Sequence, residues 1–442
     1  MSAPGSGPAT AAPDARRRLP RPAARTLTVL AGCLVLLAAA LVHGVRVLGQ
    51  EPTVTLLANW TGGDERNFRD AVIAPFEAEY HVHVDYQGSS AESQVLSADV
   101  EAGTPPDVAV LTGPGELASY VHDQQLQPVE NLIPEGDFSR SWATPFDGHV
   151  YWFPLKADLK SVVWFPGDTS AEQLAKAKNQ PAQWCLGMGS GATSGWPGTD
   201  WIEDLVLQQS GWQKYQQWAR GELSWQSKEV RRAWTTWRDL VLGPAGNEEL
   251  ARRALMTEYQ KASEYVTARP RRCTLEHQAS FIRTQQPAWG RVNGRYVPSA
   301  ELFPQVTATD SWEVSGDLVA LLHATPEARK LIRYLASVPA QQAWSGTESG
   351  FSVDAEVTPP SASDTTSWHR SLAATLLDDR AVHCFDASDA MPPAVRDAFA
   401  QATIDFLARP QSRNLDRLLK NLDTLGKAPG LNWLPSVCDH VT

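Results

Sequence analysis

Residues 53–111 decide the fold, beginning TVTLLANWTGGDERN (53–67), passing through HVHVDYQGSS (81–90) and ending PPDVAVL (105–111). The apolar, β-branched run at 53–59 is typical of a buried strand, and 81–86 alternates as a second strand. Apolar residues at helical spacing lie between these strands and again before Pro105. The order strand, helix, strand, helix, strand predicts two parallel-sheet units, so the fold class is α/β.

Polar side chains follow the predicted strands at their carboxyl ends. Trp60, Asp64 and Glu65 come after the first strand, and Ser89 comes after the second. The carboxyl ends of neighbouring parallel strands face the ligand crevice of an open α/β sheet. We therefore expect these residues to contact a ligand.

Composition and charge narrow the function classes. The chain has 442 residues, enough for two or three domains, with 43% hydrophobic and 20% charged residues. Its formal net charge of −11 would repel phosphate backbones, so nucleic acid is excluded as a partner. Tryptophan (17) outnumbers phenylalanine (12), a bias that both sugar binders and large cores share.

The N-terminal region is typical of a targeting segment. Residues 1–25 form a basic tail predicted to be disordered, and 26–45 carry no charge over a length of about 30 Å as a helix. Region 26–48 is therefore predicted to be a transmembrane anchor or a signal segment. Three outcomes stay open: an uncleaved anchor, cleavage after AAA (38–40), or lipidation of Cys33 in the lipobox LAGC (30–33). In each, the body is exported, and the predicted location is the outer face of the plasma membrane, with the body anchored there.

The middle of the chain is helical and rich in tryptophan, which predicts packing residues. The string GMGSGATSGWPGTD (187–200) instead predicts a loop that ends in a Thr199–Asp200 helix cap before a helix at 201–209. Trp196 and Asp200 would there offer an aromatic ring and a carboxylate to a polyol.

Four cysteines lie in the exported part, where disulfides persist: Cys185, Cys273, Cys384 and Cys438. Three connectivities are possible. No cysteine or histidine spacing is typical of a metal site, so neither a metal nor a cofactor is predicted.

Six further stretches stand in one order along the chain: PPDVAVLTGPGEL (105–117), KADLKSVVWF (156–165), WCLGMGSGATSGWPGTDWIEDLVL (184–207), CTLEHQASFI (273–282), WEVSGDLVAL (312–321) and FDASDAMPPAVRDAFAQ (385–401). Together with the string from Trp60 onward, they resemble the family 1 extracellular solute-binding proteins of ABC importers, in the branch for alpha-glucosides and other sugars. The resemblance covers about residues 53–425.

The resemblance implies a two-lobed periplasmic-binding-protein-like fold with a helical C-terminal segment, preceded by the membrane segment. Lobe one would comprise 52–160 and 312–425 with the C-terminal helices, lobe two 161–311, and 426–442 a C-terminal tail. KADLKSVVWF would cross out of lobe one, and WEVSGDLVAL would cross back.

The resemblance also implies a ligand set: Trp60, Asp64, Lys156, Asp158, Trp196, Asp200 and Trp201, with Phe351 from the turn at 349–351. The family pattern pairs Cys185 with Cys273, which leaves Cys384 and Cys438 for a second disulfide. The chain departs from the family in a shorter passage at 165–184, in Asp64 where a glutamate is usual, and in uncharged residues at 89–91. These departures predict a changed ligand or a weaker site.

The predicted function is a membrane-tethered solute-binding protein that captures a carbohydrate by lobe closure and delivers it to ABC permease subunits. It is predicted to be a monomer and not an enzyme. One alternative is an orphan sugar sensor or receptor on the same fold, without a transport role. The other is a glycosidase using two of Asp200, Glu203 and Asp204, although acidic residues in a first helical turn are typically solvated.

Overall fold

The computed structural model describes residues 51–134, 136, 138, 142–143, 145–146, 148–307, 310–347, 349–357 and 367–439. From Pro52 onward the chain belongs to one compact unit. The membrane segment expected at 26–48, with Cys33 inside it, lies outside the described residues. In the ranges just given, no helix combines the length and hydropathy needed to cross a bilayer.

The larger of two sheets has six strands in the order β2-β1-β3-β8-β4, with β9 paired to the beginning of β8. β1 runs parallel to β2 and to β3, which confirms the two parallel-sheet units. β8 is antiparallel to β3 and β4 and is the longest strand of the sheet. The strands of both sheets are β1 Thr53–Ala58, β2 His83–Gly88, β3 Val108–Leu111, β4 Trp152–Leu159, β5 Val162–Phe165, β6 Glu276–His277, β7 Arg295–Pro298, β8 Ser311–Leu321 and β9 Val382–Phe385.

The smaller sheet has the order β6-β5-β7, with both pairs antiparallel. Only Lys160 and Ser161 separate β4 of the larger sheet from β5 of the smaller one. The chain returns from β7 to β8. KADLKSVVWF thus comprises the end of β4, the Lys160–Ser161 junction and β5, and WEVSGDLVAL lies within β8. The α/β fold with two lobes is confirmed, and the crossing roles of the two stretches stay predictions.

Helices fill the intervals between the strands. They are α1 Gly62–Phe68, α2 Ala74–Tyr80, α3 Glu92–Ala102, α4 Pro114–His122, α5 Ala171–Ala177, α6 Trp196–Ser210, α7 Trp212–Ala219, α8 Lys228–Leu242, α9 Glu248–Leu255, α10 Tyr259–Ala262, α11 Ile282–Gln285, α12 Pro287–Arg291, α13 Pro326–Leu335, α14 Val338–Ser345, α15 Ser367–Leu376, α16 Ala387–Ala390, α17 Pro393–Ala408 and α18 Ser412–Leu425. A π turn, Arg69–Ile73, joins α1 to α2.

The start of α6 corrects the predicted cap at Thr199–Asp200. The helix begins at Trp196, because Pro197 suits the first turn, where no N–H is needed. Gly195 precedes it with φ +105°, and a Cβ there would come within 2.4 Å of the Ala400 carbonyl oxygen. Only glycine permits this conformation and this close approach.

The hydrophobic core follows the alternation of the larger sheet. One face carries residues such as Val54, Val110 and Leu321, packed on α1 and α13. The other face carries Leu57 and Leu111 and continues into the tryptophan-rich helices. Trp218, Trp225, Trp234 and Trp237 are all buried, so the predicted packing role of these tryptophans is confirmed.

The last two long helices contact helices from the middle of the chain. α17 packs against α6 and α9, and α18 packs against α17. After α18, the Val437 carbonyl oxygen accepts from the Phe385 N–H at the end of β9, and both Val437 and Cys438 are buried. The lobe boundaries at 160, 311 and 425 therefore stay predictions, with α17 lying on the side of the middle helices.

Candidate ligand-binding site

Lys156 lies between two carboxylates on neighbouring strands. Antiparallel pairing of β4 and β8 sets Lys156 opposite Asp317, and its ammonium is 3.3 Å from Asp158 Oδ2 and 3.8 Å from Asp317 Oδ2. All three side chains are buried. Burial alone would lower the pKa of Lys156, but Asp158 and Asp317 outweigh it and raise the pKa, so the side chain stays charged.

The end of β1 supplies donors to the same place. Asn59 Nδ2 donates to Asp317 Oδ1 at 2.7 Å, and Trp60 Nε1 donates to Asp317 Oδ2 at 2.8 Å. The Trp60 indole also packs against Phe68 and Trp344, with ring centroids 4.7 and 4.9 Å away. Both the indole N–H and the aromatic ring of Trp60 are therefore held in place by neighbouring side chains.

The segment after β6 closes the opposite side. Ser280 Oγ donates to Asp158 Oδ1 at 2.6 Å, and the Phe281 ring centroid is 5.9 Å from the Lys156 ammonium. Burial raises the pKa of Asp158, against the lowering effect of Lys156. Gln285 Nε2 donates to Asp64 Oδ2 at 2.9 Å, which joins α11 to α1.

An aromatic wall borders these polar groups. The half-buried Trp196 at the start of α6 has its ring centroid 4.8 Å from Tyr259 and 6.1 Å from Phe281. We call the whole set the Lys156 group: Asn59, Trp60, Asp64, Lys156, Asp158, Trp196, Tyr259, Ser280, Phe281, Gln285 and Asp317. It combines carboxylates, amides, an ammonium and ring faces, a set that suits a ligand with hydroxyl groups and an apolar face.

Three other predicted contacts lie at the edge of this group. Glu65 forms an ion pair with Arg69 at 3.0 Å, and Arg69 lies over the Tyr86 ring. Ser89 accepts a hydrogen bond from the Ala91 N–H. Phe351 is buried and stacks on His369 with ring centroids 4.4 Å apart, while its backbone pairs with Ala157 of β4.

Asp200 and Trp201 do not join the Lys156 group. Trp201 has no exposed surface and packs against Trp184 and His277, with ring centroids 4.9 and 4.7 Å away. Asp200 accepts from Lys160 Nζ at 2.8 Å, and burial raises its pKa to about 6. Both residues lie behind the chain crossing, inside the protein.

Sequence reasoning missed several members of the Lys156 group. Asp317 and Ser280 occur in the quoted stretches WEVSGDLVAL and CTLEHQASFI, where a charge or hydroxyl in an apolar run was the available signal. Tyr259 and Gln285 carry no such signal, because only the tertiary fold brings them near β4.

A second polar cluster lies around the crossing itself. The Lys160 group consists of Lys160, Asp200, Glu203, Glu313 and Asp386, all fully or almost fully buried. Lys160 Nζ donates to Asp200 and Asp386, and Glu203 Oε2 accepts from the Ala387 N–H at 2.7 Å. Burial, followed by the neighbouring carboxylates, raises the pKa values of Glu203 and Glu313 well above the ordinary range. The carboxylates of Glu203, Glu313 and Asp386 lie close enough together to hold a metal ion.

The glycosidase alternative fails on accessibility. Asp200, Glu203 and Asp204 are at most 3% exposed. Asp204 is 2.8 Å from His277 Nε2 and also accepts from Ser161 Oγ at 2.7 Å. None of these carboxylates lies on a surface that a glycoside could reach.

Both disulfides expected from the cysteines are present. Cys185 bonds to Cys273, and Cys384 bonds to Cys438. The first joins the strings WCLGMGSG and CTLEHQASFI, which brings α6 and Phe281 to the same place. The second fixes the chain after α18 against β9.

Comparison with known proteins identifies the class of this architecture. A family model described as bacterial extracellular solute-binding protein matches residues 61–342. The chain is 27% identical over 405 residues to the alpha-glucosides-binding periplasmic protein AglE of Rhizobium meliloti (strain 1021), covering 82% of this chain and 85% of AglE. It is 28% identical over 415 residues to the osmoprotective compounds-binding protein GgtB of Synechocystis sp., covering 86% and 94%.

Solved structures share the fold at lower identity. The bacterial solute receptor AcbH, reported to prefer β-D-galactopyranose, superposes with a TM-score of 0.70 at 16% identity, covering 86% of this chain and 99% of AcbH. A chitin oligosaccharide binding protein superposes with a TM-score of 0.69 at 17% identity, covering 86% and 100%.

Proposed function

Because the chain belongs to the family of bacterial extracellular solute-binding proteins, we propose that it captures a carbohydrate at the Lys156 group and delivers it to an ABC permease. The family consists of binding proteins and not enzymes, so the chain acts by binding and release. The observation that carries the choice of site is the placement of Lys156 between Asp158 and Asp317, beside half-exposed aromatic rings. The relative named for alpha-glucosides supports a glucoside as the first candidate ligand.

The chemistry of the group fits a sugar. A carboxylate accepts hydrogen bonds from sugar hydroxyls, and an amide or ammonium donates to them. The half-buried Asp64 and Gln285 can therefore hold both kinds of partner, and Lys156 can donate as well where lobe opening exposes it. The ring of Trp196 can cover the apolar face of a pyranose, while Tyr259 and Phe281 fix its orientation. The crossings at Lys160–Ser161 and before β8 would act as hinges for lobe closure.

Closure has a candidate contact in the bond from Gln285 to Asp64. This hydrogen bond joins α11, next to the smaller sheet, to α1 of the larger sheet. A sugar entering between these helices would exchange this contact for contacts of its own. The aspartate at position 64 is one methylene shorter than a glutamate, which leaves additional room for the ligand there.

We also propose that the uncharged segment at 26–45 tethers the protein to the outer face of the membrane, near its permease. The two disulfides support an oxidising compartment for the folded unit. Loss of uptake of the radiolabelled sugar in cells that lack this chain would support delivery to a permease. Unchanged uptake would favour a sensor.

Thermal denaturation with a ligand panel tests the binding proposal. The full-length chain, kept in mild detergent, is heated with alpha-glucosides, other mono- and oligosaccharides, and compatible solutes. A ligand at 100 times its Kd should add about 2.7 kcal/mol to the free energy of unfolding.

Matched variants locate the site. Trp196→Ala should abolish the stabilisation, whereas Trp212→Ala should retain it, because Trp212 is also half-buried and also begins a helix but lies outside the group. The proposal is wrong if no sugar stabilises the wild-type protein, or if Trp196→Ala binds with unchanged affinity.

A further inference from the structure

The Lys160 group places four carboxyl groups around a single ammonium in the interior of the protein. Its four carboxylates, Asp200, Glu203, Glu313 and Asp386, are 0–3% exposed and share one ammonium. That ammonium is directed at Asp200 and Asp386. Buried carboxylates require a compensating charge or hydrogen-bond donors, so Glu203 and Glu313 need a further partner.

Glu313 makes this need specific. Its side chain has no exposed surface, and neither carboxylate oxygen has a hydrogen-bond partner among the described residues. Its backbone is fully engaged, because the Glu313 N–H donates to Ser161 Oγ and its carbonyl accepts from the Lys160 N–H. The strand therefore holds the carboxylate in place, directed into the group without a donor.

Glu203 directs a second free oxygen to the same point. Its Oε2 accepts from the N–H groups of Ala387 and Ser388, at 2.7 and 3.2 Å, while Oε1 accepts no hydrogen bond from the residues that the structure describes. Oxygen atoms of Glu203, Glu313 and Asp386 all lie within 4.8 Å of one another. Three chain segments that are distant in sequence thus converge on one point.

We propose that Glu203, Glu313 and Asp386 bind one divalent cation, Ca²⁺, at the crossing between the two sheets. Carboxylate oxygens are the ligands that hard cations prefer, and Ca²⁺ binds them at 2.3–2.6 Å, so its ligands lie up to about 5 Å apart. Mg²⁺ requires shorter distances and keeps several waters, which suits an enclosed carboxylate site less well. Lys160, engaged by Asp200 and Asp386, lies beside the ion, and the two together carry three positive charges against the four carboxylates.

The consequence is structural linkage. Glu203 belongs to α6, Glu313 to β8, and Asp386 to the turn between β9 and α16. A bound ion would join these three elements directly behind the crossing at Lys160–Ser161. It would thereby set the rigidity of the proposed hinge without touching the ligand.

The test measures calcium uptake and thermal stability of the full-length chain in mild detergent. After removal of metal with a chelator, equilibrium dialysis at pH 7.5 with radioactive Ca²⁺ should show one ion per chain. Added Ca²⁺ should also raise the melting temperature of the metal-free protein. Glu313→Gln, which keeps the shape and removes the charge, should weaken Ca²⁺ binding by about 100-fold or more.

The matched control is Glu276→Gln. Glu276 is also a fully buried carboxylate, but Ser263 and Trp289 donate to it and it lies outside the Lys160 group. This variant should bind Ca²⁺ as the wild type does. If Glu313→Gln does not fold, Glu203→Gln provides a second test of the site. The number of Ca²⁺ ions bound per wild-type chain tests the proposal without any variant.

The proposal is overturned by wild-type protein that takes up no stoichiometric Ca²⁺, or by unchanged uptake in a folded Glu313→Gln variant. It is also overturned if acidification to pH 5 raises the melting temperature while Ca²⁺ has no effect. In that case protons, and not a cation, neutralise the carboxylates.

Discussion

Replacing Lys156 by methionine should destabilise the protein strongly and in a pH-dependent way. The ammonium is only 4% exposed and lies 3.3 Å from Asp158 and 3.8 Å from Asp317. Removing one partner from a buried ion pair leaves an uncompensated charge and costs about 3–5 kcal/mol. Asp317 retains Asn59 and Trp60 as donors, so the lower half of this range is expected.

The melting temperature provides the assay. An unfolding entropy of about 2.1 cal/mol/K per residue gives about 0.8 kcal/mol/K for a unit of this size, so the variant should melt about 4–5 °C lower at pH 8. Lys176→Met, at an exposed position on α5, is the control and should change the free energy of unfolding by less than about 0.5 kcal/mol.

The sign of the pH dependence follows from Asp158. Burial already raises its pKa, and loss of Lys156 raises it further, so the folded variant binds a proton that the unfolded chain has released. Stability is then greatest near pH 4 and falls as the pH rises through the pKa of the folded state. The deficit of Lys156→Met should therefore be smaller at pH 5 than at pH 8 by at least about 1 kcal/mol. Because the pKa of Lys156 is raised, its ammonium stays charged between pH 5 and pH 8, and its own contribution to the stability of the wild type does not change with pH.

A double variant tests the cause. Lys156→Met combined with Asp158→Asn removes the uncompensated charge and should regain about half of the lost stability. An equal deficit at both pH values, or no recovery in the double variant, would refute the reasoning.

Three other changes have clear expected outcomes. Gly195→Ala should lower the free energy of unfolding by about 1–3 kcal/mol in urea denaturation because of the φ of +105°, whereas Gly63→Ala, whose Cβ would have space, should cost less than about 1 kcal/mol. Replacing both Cys185 and Cys273 by serine removes a covalent link between residues 88 positions apart. This should lower the free energy of unfolding by about 2–5 kcal/mol, measured by calorimetry against the wild type. Burial raises the pKa of Glu276 to about 7. Its contribution to the free energy of unfolding should therefore decrease by about 3 kcal/mol as the pH rises from 4.5 to 7. The difference in free energy of unfolding between wild type and Glu276→Gln should change over this pH range and stay constant above it.

The parallel units at 53–111 could be predicted because their strands and helices are contiguous and strongly patterned. The antiparallel insertion of β8 could not, since its partners are distant: Asp317 bonds to Asn59 across 258 positions. The predicted start of α6 was about five residues too late. Glycine and proline are typical of loops, which favoured a loop up to residue 200, but Pro197 lies in the first helical turn, where no N–H is needed. Burial, which the sequence does not reveal, separates two of the predicted ligand contacts. Trp196 keeps part of its side chain exposed, whereas Trp201 has no exposed surface.

The two polar groups are continuous with each other along β4 and β8. In KADLK (156–160) and EVSGD (313–317), polar side chains recur at every second position, which places them on one face of each strand. Register pairs Lys156 with Asp317 and Asp158 with Ser315, and the Lys160 N–H donates to the Glu313 carbonyl oxygen.

Charges at alternate positions of buried strands are costly unless they have partners. Lys156 has Asp158 on its own strand and Asp317 on β8. Lys160 has Asp200 from α6 and Asp386 from the turn after β9. The row of polar side chains therefore ends at Lys160, where the chain leaves the larger sheet for the smaller one. Sliding of β4 along β8 by one residue would separate Lys156 from Asp317, so this ion pair favours the observed register. Glu313 of the proposed cation site and Asp317 beside Lys156 belong to the same strand, so a displacement of β8 at the cation site would also act on Lys156.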